Sequence, residues 1–205
     1  METIVLSFGH GSIDPVTGSY HCLAGGKQYT FPDGDTVYEG EINRLYQKSL
    51  ELALRAEGFK VVVISHNHLD YTLGKRVQLA AEVKGPKILI CFHHNASPEH
   101  NAAGWEIWTT RKRNNSDTLA EHVWFEHYLL KRAFDNLRMR SDVSLDGDHD
   151  FEADFMEIKA FDGPAIYIEN GFFDNVEDLE RVTDHKYMHH ATQAIVRGVV
   201  KYINK

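Results

Sequence analysis

Two histidines and two glutamates in this 205-residue chain fall where a metal-assisted hydrolysis could be assembled. His10 and His93 each follow an apolar run, Thr3–Phe8 and Lys87–Phe92, and Glu169 follows a third, Ala165–Ile168. Imidazole and carboxylate are the ligand types zinc uses. A zinc hydrolase needs about three such ligands, an open position for water, and a further carboxylate that takes the water's proton. Glu39, in Tyr38-Glu39-Gly40-Glu41-Ile42-Asn43, opens a predicted helix and can turn over the same rim. His10, Glu39 and His93 then form the ligand set for one Zn²⁺ ion, and Glu169 is left as the catalytic base.

The elements that must position these residues are legible in the hydrophobic pattern. Continuous runs such as Ile88-Leu89-Ile90-Cys91-Phe92 lack polar alternation, which is the mark of strands buried on both faces of a parallel sheet. In open sheets of that kind ligands bind beyond the carboxyl ends of the strands. Strand 3–8, a helix over 38–57, strand 59–65, a helix over 73–83 and the strand from Lys87 alternate β-α-β-α-β. That order predicts an α/β fold, a three-layer α/β/α sandwich with a mostly parallel central sheet. Residues 9–37 read as a long polar loop, and loops of that length in compact domains are usually functional. Farther on, Gly104–Thr110 alternates like a half-exposed edge strand, a helix is expected over 117–137, and Arg138–Asp154 reads as loop. A short strand near 155–160, the buried strand from Ala165, a helix over 176–182 capped by Asn175 and a final helix over 186–203 complete the chain. No repeat or linker divides it, so residues 1–205 are read as a single domain.

Composition excludes several classes. A formal charge of -8 opposes nucleic-acid backbone binding, which needs clustered Lys and Arg. The one tight basic run, Arg111-Lys112-Arg113, reads as a solvated loop face. No stretch approaches the roughly 18 to 20 apolar residues of a membrane span, and no signal-peptide pattern follows Met1. Synthesis in the cytoplasm is the expectation. Cys22 and Cys91 form no CxxC pair and read as reduced thiols. His66-Asn67-His68 reads as loop, and His185, His189 and His190 as a solvated helix face.

In order along the chain, Gly9-His10-Gly11, Glu39-Gly40-Glu41-Ile42-Asn43, Phe92-His93-His94-Asn95-Ala96 and Glu169-Asn170-Gly171-Phe172-Phe173-Asp174-Asn175 resemble the four motifs of the zinc-dependent N-acetylmuramoyl-L-alanine amidases of the third amidase family. Asp70 with Arg76, and Ala103-Gly104-Trp105-Glu106, fall where that family has further motif segments. The resemblance implies zinc on His10, Glu39 and His93, with Glu169 as the catalytic carboxylate. It also implies Asn95, His94 and Lys159 as residues of the substrate groove, and hydrolysis of the amide between N-acetylmuramic acid and L-alanine in peptidoglycan. Two departures stand out. The His10–Glu39 loop carries extra polar residues around 20–32, and Asp174 replaces a small hydroxyl residue, an exchange expected to alter little.

Two other readings fit weaker subsets of the same residues: a zinc peptidase or carboxypeptidase of similar fold, and a wall-binding module with a dead site. The compact catalytic chain suits a phage or prophage endolysin released through a holin. Peptidoglycan is the expected partner.

Overall fold

In this computed structural model, residues 2–111, 114–144 and 146–205 are described; Lys112 and Arg113 of the basic run lie outside them. The apolar runs form strands because their β-branched and aromatic side chains pack on a pleated surface covered from both sides. In chain order the elements are β1 (Thr3–Phe8), β2 (Gln28–Thr30), β3 (Thr36–Tyr38), α1 (Glu39–Ala56), β4 (Lys60–Val63), α2 (Leu73–Glu82), β5 (Lys87–Asn95), β6 (Glu106–Thr109) and α3 (Ser116–Tyr128). Then follow β7 (Phe151–Glu152), α4 (Met156–Ala160), β8 (Ala165–Phe172), α5 (Val176–Thr183) and α6 (His185–Ile203). Six strands make one sheet in the order β4-β1-β5-β8-β6-β7, and β2 and β3 form a separate ribbon. All pairings in the large sheet are parallel except β6 with β8.

The two faces of the sheet are covered unequally. Ile88, Ile90 and Phe92 of β5 point into the larger core with Ile4, Leu6 and Phe8, packed by α1, α3 and α6. Leu89 and Cys91 face the smaller core with Val5, Ala80 and Ile158, under α2 and α4. The chain leaves β1 through α1 to β4 on one side, then returns through α2 to β5 on the other side of β1. The strand order therefore reverses between β1 and β5, which opens a crevice at their carboxyl ends. No helix among the described residues is long and apolar enough to cross a membrane.

The structure departs from the sequence expectations in four places. Residues 156–160 are helical, not a strand: Met, Glu, Lys and Ala favour helix, and the turn buries Glu157 and Ile158 against the sheet. β6 is not a half-exposed edge, because the two residues of β7 extend the sheet beyond it and Glu106, Ile107 and Thr109 are buried. α3 ends at Tyr128 and passes into a 3-10 turn over Leu129–Arg132. The long loop is not wholly irregular, since Gln28–Thr30 and Thr36–Tyr38 pair antiparallel just before α1.

The end of β8 is tied down by one carboxylate. Asp178 of α5, which is buried, accepts hydrogen bonds from the backbone N–H groups of Gly104 and Phe172, each at 2.8 Å, and pairs with Arg181. Removing it strands two buried donors and one buried guanidinium. Asp178→Ala is expected to cost about 3–5 kcal/mol of stability, read by urea unfolding. A loss below about 1 kcal/mol would show that the junction is held elsewhere.

Candidate active site

The crevice between β1 and β5 holds the residues singled out in the sequence. His10 follows β1 in a left-handed backbone conformation, φ 57°, which a residue with a Cβ adopts only under constraint. Three side chains impose it. Asn43 Nδ2 donates to the Gly9 carbonyl at 3.0 Å and Arg44 Nη1 to the same oxygen at 3.1 Å, both from α1. From α2 on the opposite face, Arg76 donates to the Phe8 carbonyl at 2.7 Å and to the His10 carbonyl at 3.3 Å. Two glycines beside the ligand positions, Gly9 before His10 and Gly40 after Glu39, are steric requirements. A Cβ on Gly9 would lie 2.0 Å from the His93 ring, and one on Gly40 would lie 1.4 Å from the Gly11 carbonyl oxygen.

Glu39 is the first residue of α1 and is fully buried. Its Oε1 lies 2.9 Å from His93 Nδ1, while its Oε2 lies 3.3 Å from His10 Nε2 and 3.2 Å from Lys27 Nζ. Ligand atoms of His10, Glu39 and His93 all fall within 4.8 Å of one another. Burial opposes the charge of Glu39, but the His93 bond and the His10, His93 and Lys27 charges outweigh it, so its carboxyl stays well below the usual range. Burial also keeps the His93 imidazole neutral to lower pH than usual. Neutral imidazole and ionised carboxylate are the forms in which these groups ligate a metal. His10 Nε2 and His93 Nε2 are buried and make no hydrogen bond, while Glu39 Oε2 faces only His10 and the Lys27 ammonium. Two orphaned imidazole nitrogens and a carboxylate converging from separate elements fit a four-coordinate zinc with one open position.

Register places the remaining carboxylates. His93 of β5 stands opposite Glu169 of β8, and Glu169 stands opposite Glu106 of β6, a row across the sheet. Glu169 Oε2 is buried without a hydrogen-bond partner. Burial, followed by the Glu39 charge, pushes its carboxyl well above the ordinary range, with Lys27 pulling the other way. Glu39 on α1 and Glu169 on β8 are thus pushed in opposite directions, one toward the ionised form a ligand needs and the other toward the raised affinity for protons that suits a proton carrier. A cleft of about 280 Å³ opens beside His10 and His93, walled in part by Leu23, Ala24, Tyr71 and Leu73.

The structure brings ligand atoms of His10, Glu39 and His93 close to one another, with Glu169 opposite His93 on the neighbouring strand. The three suggested groove residues fare differently. Asn95 Nδ2 donates to Glu106 Oε2 at 3.1 Å, beside the row. Lys159 lies on α4 with Nζ 2.7 Å from Asp154. His94 points to the other face of the sheet and is fully buried, its Nδ1 2.8 Å from Asn43 Oδ1 and its Nε2 3.1 Å from Asn170 Nδ2. The alternation of β5 rules it out as a groove residue; it positions Asn43 instead. Sequence reasoning missed Lys27, which sits before the β2–β3 ribbon with no periodicity to flag it. It also undervalued Asp174, which accepts from Ser97 N and His100 Nδ1, each at 2.8 Å, and so fixes the turn after β5.

His94 and His127 are both held neutral by burial, lowered from 6.5 to about 3. A depressed folded-state value gives stability that is complete above 6.5 and is lost as pH falls toward 3. Metal-free protein is therefore expected to weaken steadily between pH 6.5 and 4, and His94→Gln to flatten that decline in urea titrations. An unchanged slope in this variant would remove His94 from the acid response.

The geometry agrees with the comparisons. The profile of the Amidase 3 family, described as N-acetylmuramoyl-L-alanine amidase, matches residues 4–201. An N-acetylmuramoyl-L-alanine amidase from Clostridium difficile 630 superimposes with TM-score 0.77 at 22% identity, over 100% of this chain and 97% of that one. The catalytic domain of the amidase CwlV from Bacillus (Paenibacillus) polymyxa gives 0.75 at 20%, over 100% and 99%. The catalytic domain of the CD27L endolysin, which targets Clostridia difficile, gives 0.64 at 21%, over 98% of both chains. No curated protein matches the chain. With a family match spanning nearly its whole length and that family's fold, the chain belongs to the N-acetylmuramoyl-L-alanine amidases.

Proposed function

We propose that this amidase cleaves the amide between the lactyl group of N-acetylmuramic acid and L-alanine, using one zinc ion held by His10, Glu39 and His93. The observation that carries the reading is the convergence of those three donors, with His93 standing opposite Glu169 on the neighbouring strand. When bound, zinc supplies Lewis-acid polarisation of the scissile carbonyl and acidifies water.

The side chains do the rest. Glu169 accepts the proton of the attacking water at its free Oε2 and delivers it to the alanine nitrogen as the C–N bond breaks, leaving a lactyl carboxylate and a free amine. Lys27 offsets the combined negative charge of Glu39 and Glu169, which lets both sit in one buried pocket. Its ammonium gains from both carboxylates although burial works against it. Asn95 and Glu106 brace the groove floor through their mutual bond. The reading treats residues 1–205 as one catalytic domain, with the cell wall as its target and an endolysin role as its setting. The similarity to the CD27L catalytic domain supports that setting.

Glu169→Ala is expected to lower kcat by roughly 10²- to 10⁴-fold while one zinc per chain remains bound, as measured by elemental analysis. Near-normal turnover in this variant would exclude Glu169 as the proton carrier. His93→Ala should lose both zinc and activity, and full metallation of that variant would refute the ligand set. On purified peptidoglycan, chelation should stop release and zinc should restore it, with product masses showing intact stem peptides that begin with free L-alanine. Cuts within the stem would instead favour a peptidase, and binding without release a dead module.

A further inference from the structure

A second group of carboxylates gathers away from the catalytic crevice, where residues 146–150 meet the first turn of α3. One oxygen each from Asp117, Asp146 and Asp148 lies within 4.8 Å of the other two. Asp117 belongs to α3, while Asp146 and Asp148 flank Gly147, whose φ of 102° makes the turn between them. Among the described residues no ion pair joins these side chains, and nearby His149 is committed to Glu121. Asp117, Asp148 and Lys205 also line a cleft of about 280 Å³, with His122 on its wall, yet Lys205 makes no ion pair with either carboxylate.

Asp150 is the independent observation that this is more than an acidic surface. It is only 2% exposed and stands outside the three-residue cluster. Thr109 Oγ1 donates to its Oδ2 at 2.6 Å, but its Oδ1 is buried with no partner. Its carboxyl lies against that of Asp148, and burial, with this neighbour, pushes it up to about 8. Asp117 Oδ1 and Asp148 Oδ1 are likewise buried and unpartnered. Buried polar atoms without partners are uncommon in native proteins and call for an explanation such as an ion.

We propose that Asp117, Asp146 and Asp148, with Asp150 behind them, form a calcium site separate from the catalytic centre. The donor set is oxygen only, the preference of a hard cation, and it is mounted on a loop that suits calcium's variable geometry better than the strict octahedron of magnesium. It is not an EF-hand. Counting Asp142 as the first position puts Ala153 where that motif has its bidentate glutamate, and here α3 contributes Asp117 instead. The ion would clamp residues 146–150 to α3 and thereby hold β7, the strand that closes the sheet.

The test uses zinc-loaded protein freed of calcium by desalting, titrated with CaCl2 in a calorimeter and melted with and without it. One Ca²⁺ per chain is expected, with a rise in Tm of about 5 °C or more at saturation. The Asp117→Asn/Asp148→Asn double variant should bind Ca²⁺ at least about tenfold more weakly, while its calcium-free form melts no lower than wild type because repulsion has been relieved. A single Asp150→Asn variant should weaken binding less. MgCl2 should give a smaller shift. Absence of heat and of any Tm change up to about 10 mM Ca²⁺ would overturn the site, as would undiminished binding in the double variant. A double variant whose calcium-free form melts lower than wild type would also count against it, since the carboxylates would then be acting as structural hydrogen-bond partners.

Discussion

The carbonyl groups of Gly9 and His10 accept hydrogen bonds from both sides of the sheet, and the geometry of the catalytic rim depends on that clamp. Asn43 and Arg44 reach them from α1 and Arg76 from α2. A left-handed residue at the end of a strand is unfavourable unless its surroundings over-determine it. Here two guanidiniums do so, each buried or nearly so and each spread over several carbonyl oxygens, a geometry that the forked donors of arginine suit and a lysine could not reproduce. The same clamp locks α1 to β1, which is what brings Glu39 over the strand ends. Metal-ligand geometry and helix docking are therefore one structural problem.

Much of this was visible in the chain itself. The buried strands β1, β5 and β8 read directly from runs such as Ile88–Phe92, because a strand covered on both faces has no reason to alternate. Their carboxyl ends pointed to His10, His93 and Glu169. What hid was whatever depends on tertiary neighbours. Residues 156–160 were ambiguous because five residues with Met156 and Ile158 carry no decisive period, and packing beside α2 settled them as helix. β6 alternates as an edge strand should, yet two residues of β7 suffice to bury it, and no local pattern announces so short a strand.

The site shows the same division. Adjacent histidines in a strand must face opposite sides, so His93 and His94 could never share one pocket, a consequence of pleating that the motif letters conceal. Lys27 escaped notice because its role arises from where the ribbon folds back, not from its immediate sequence. Asp174 looked like a neutral exchange for a hydroxyl residue, but a carboxylate accepts two donors at once, and it uses both on Ser97 and His100.

His10 and Glu39 lie at the two ends of the long segment that carries Tyr20, Lys27 and the β2–β3 ribbon. An ion gripped by both residues, as proposed, would close that segment into a ring, much as a disulfide does. Cross-links of this kind restrict the unfolded chain, and the entropy they remove grows only slowly with the length enclosed. The extra residues that lengthen this segment therefore add little to the entropic cost of closing it. A ring closed in this way would leave the segment free to vary in length and surface chemistry at the mouth of the groove while its anchor points stay fixed.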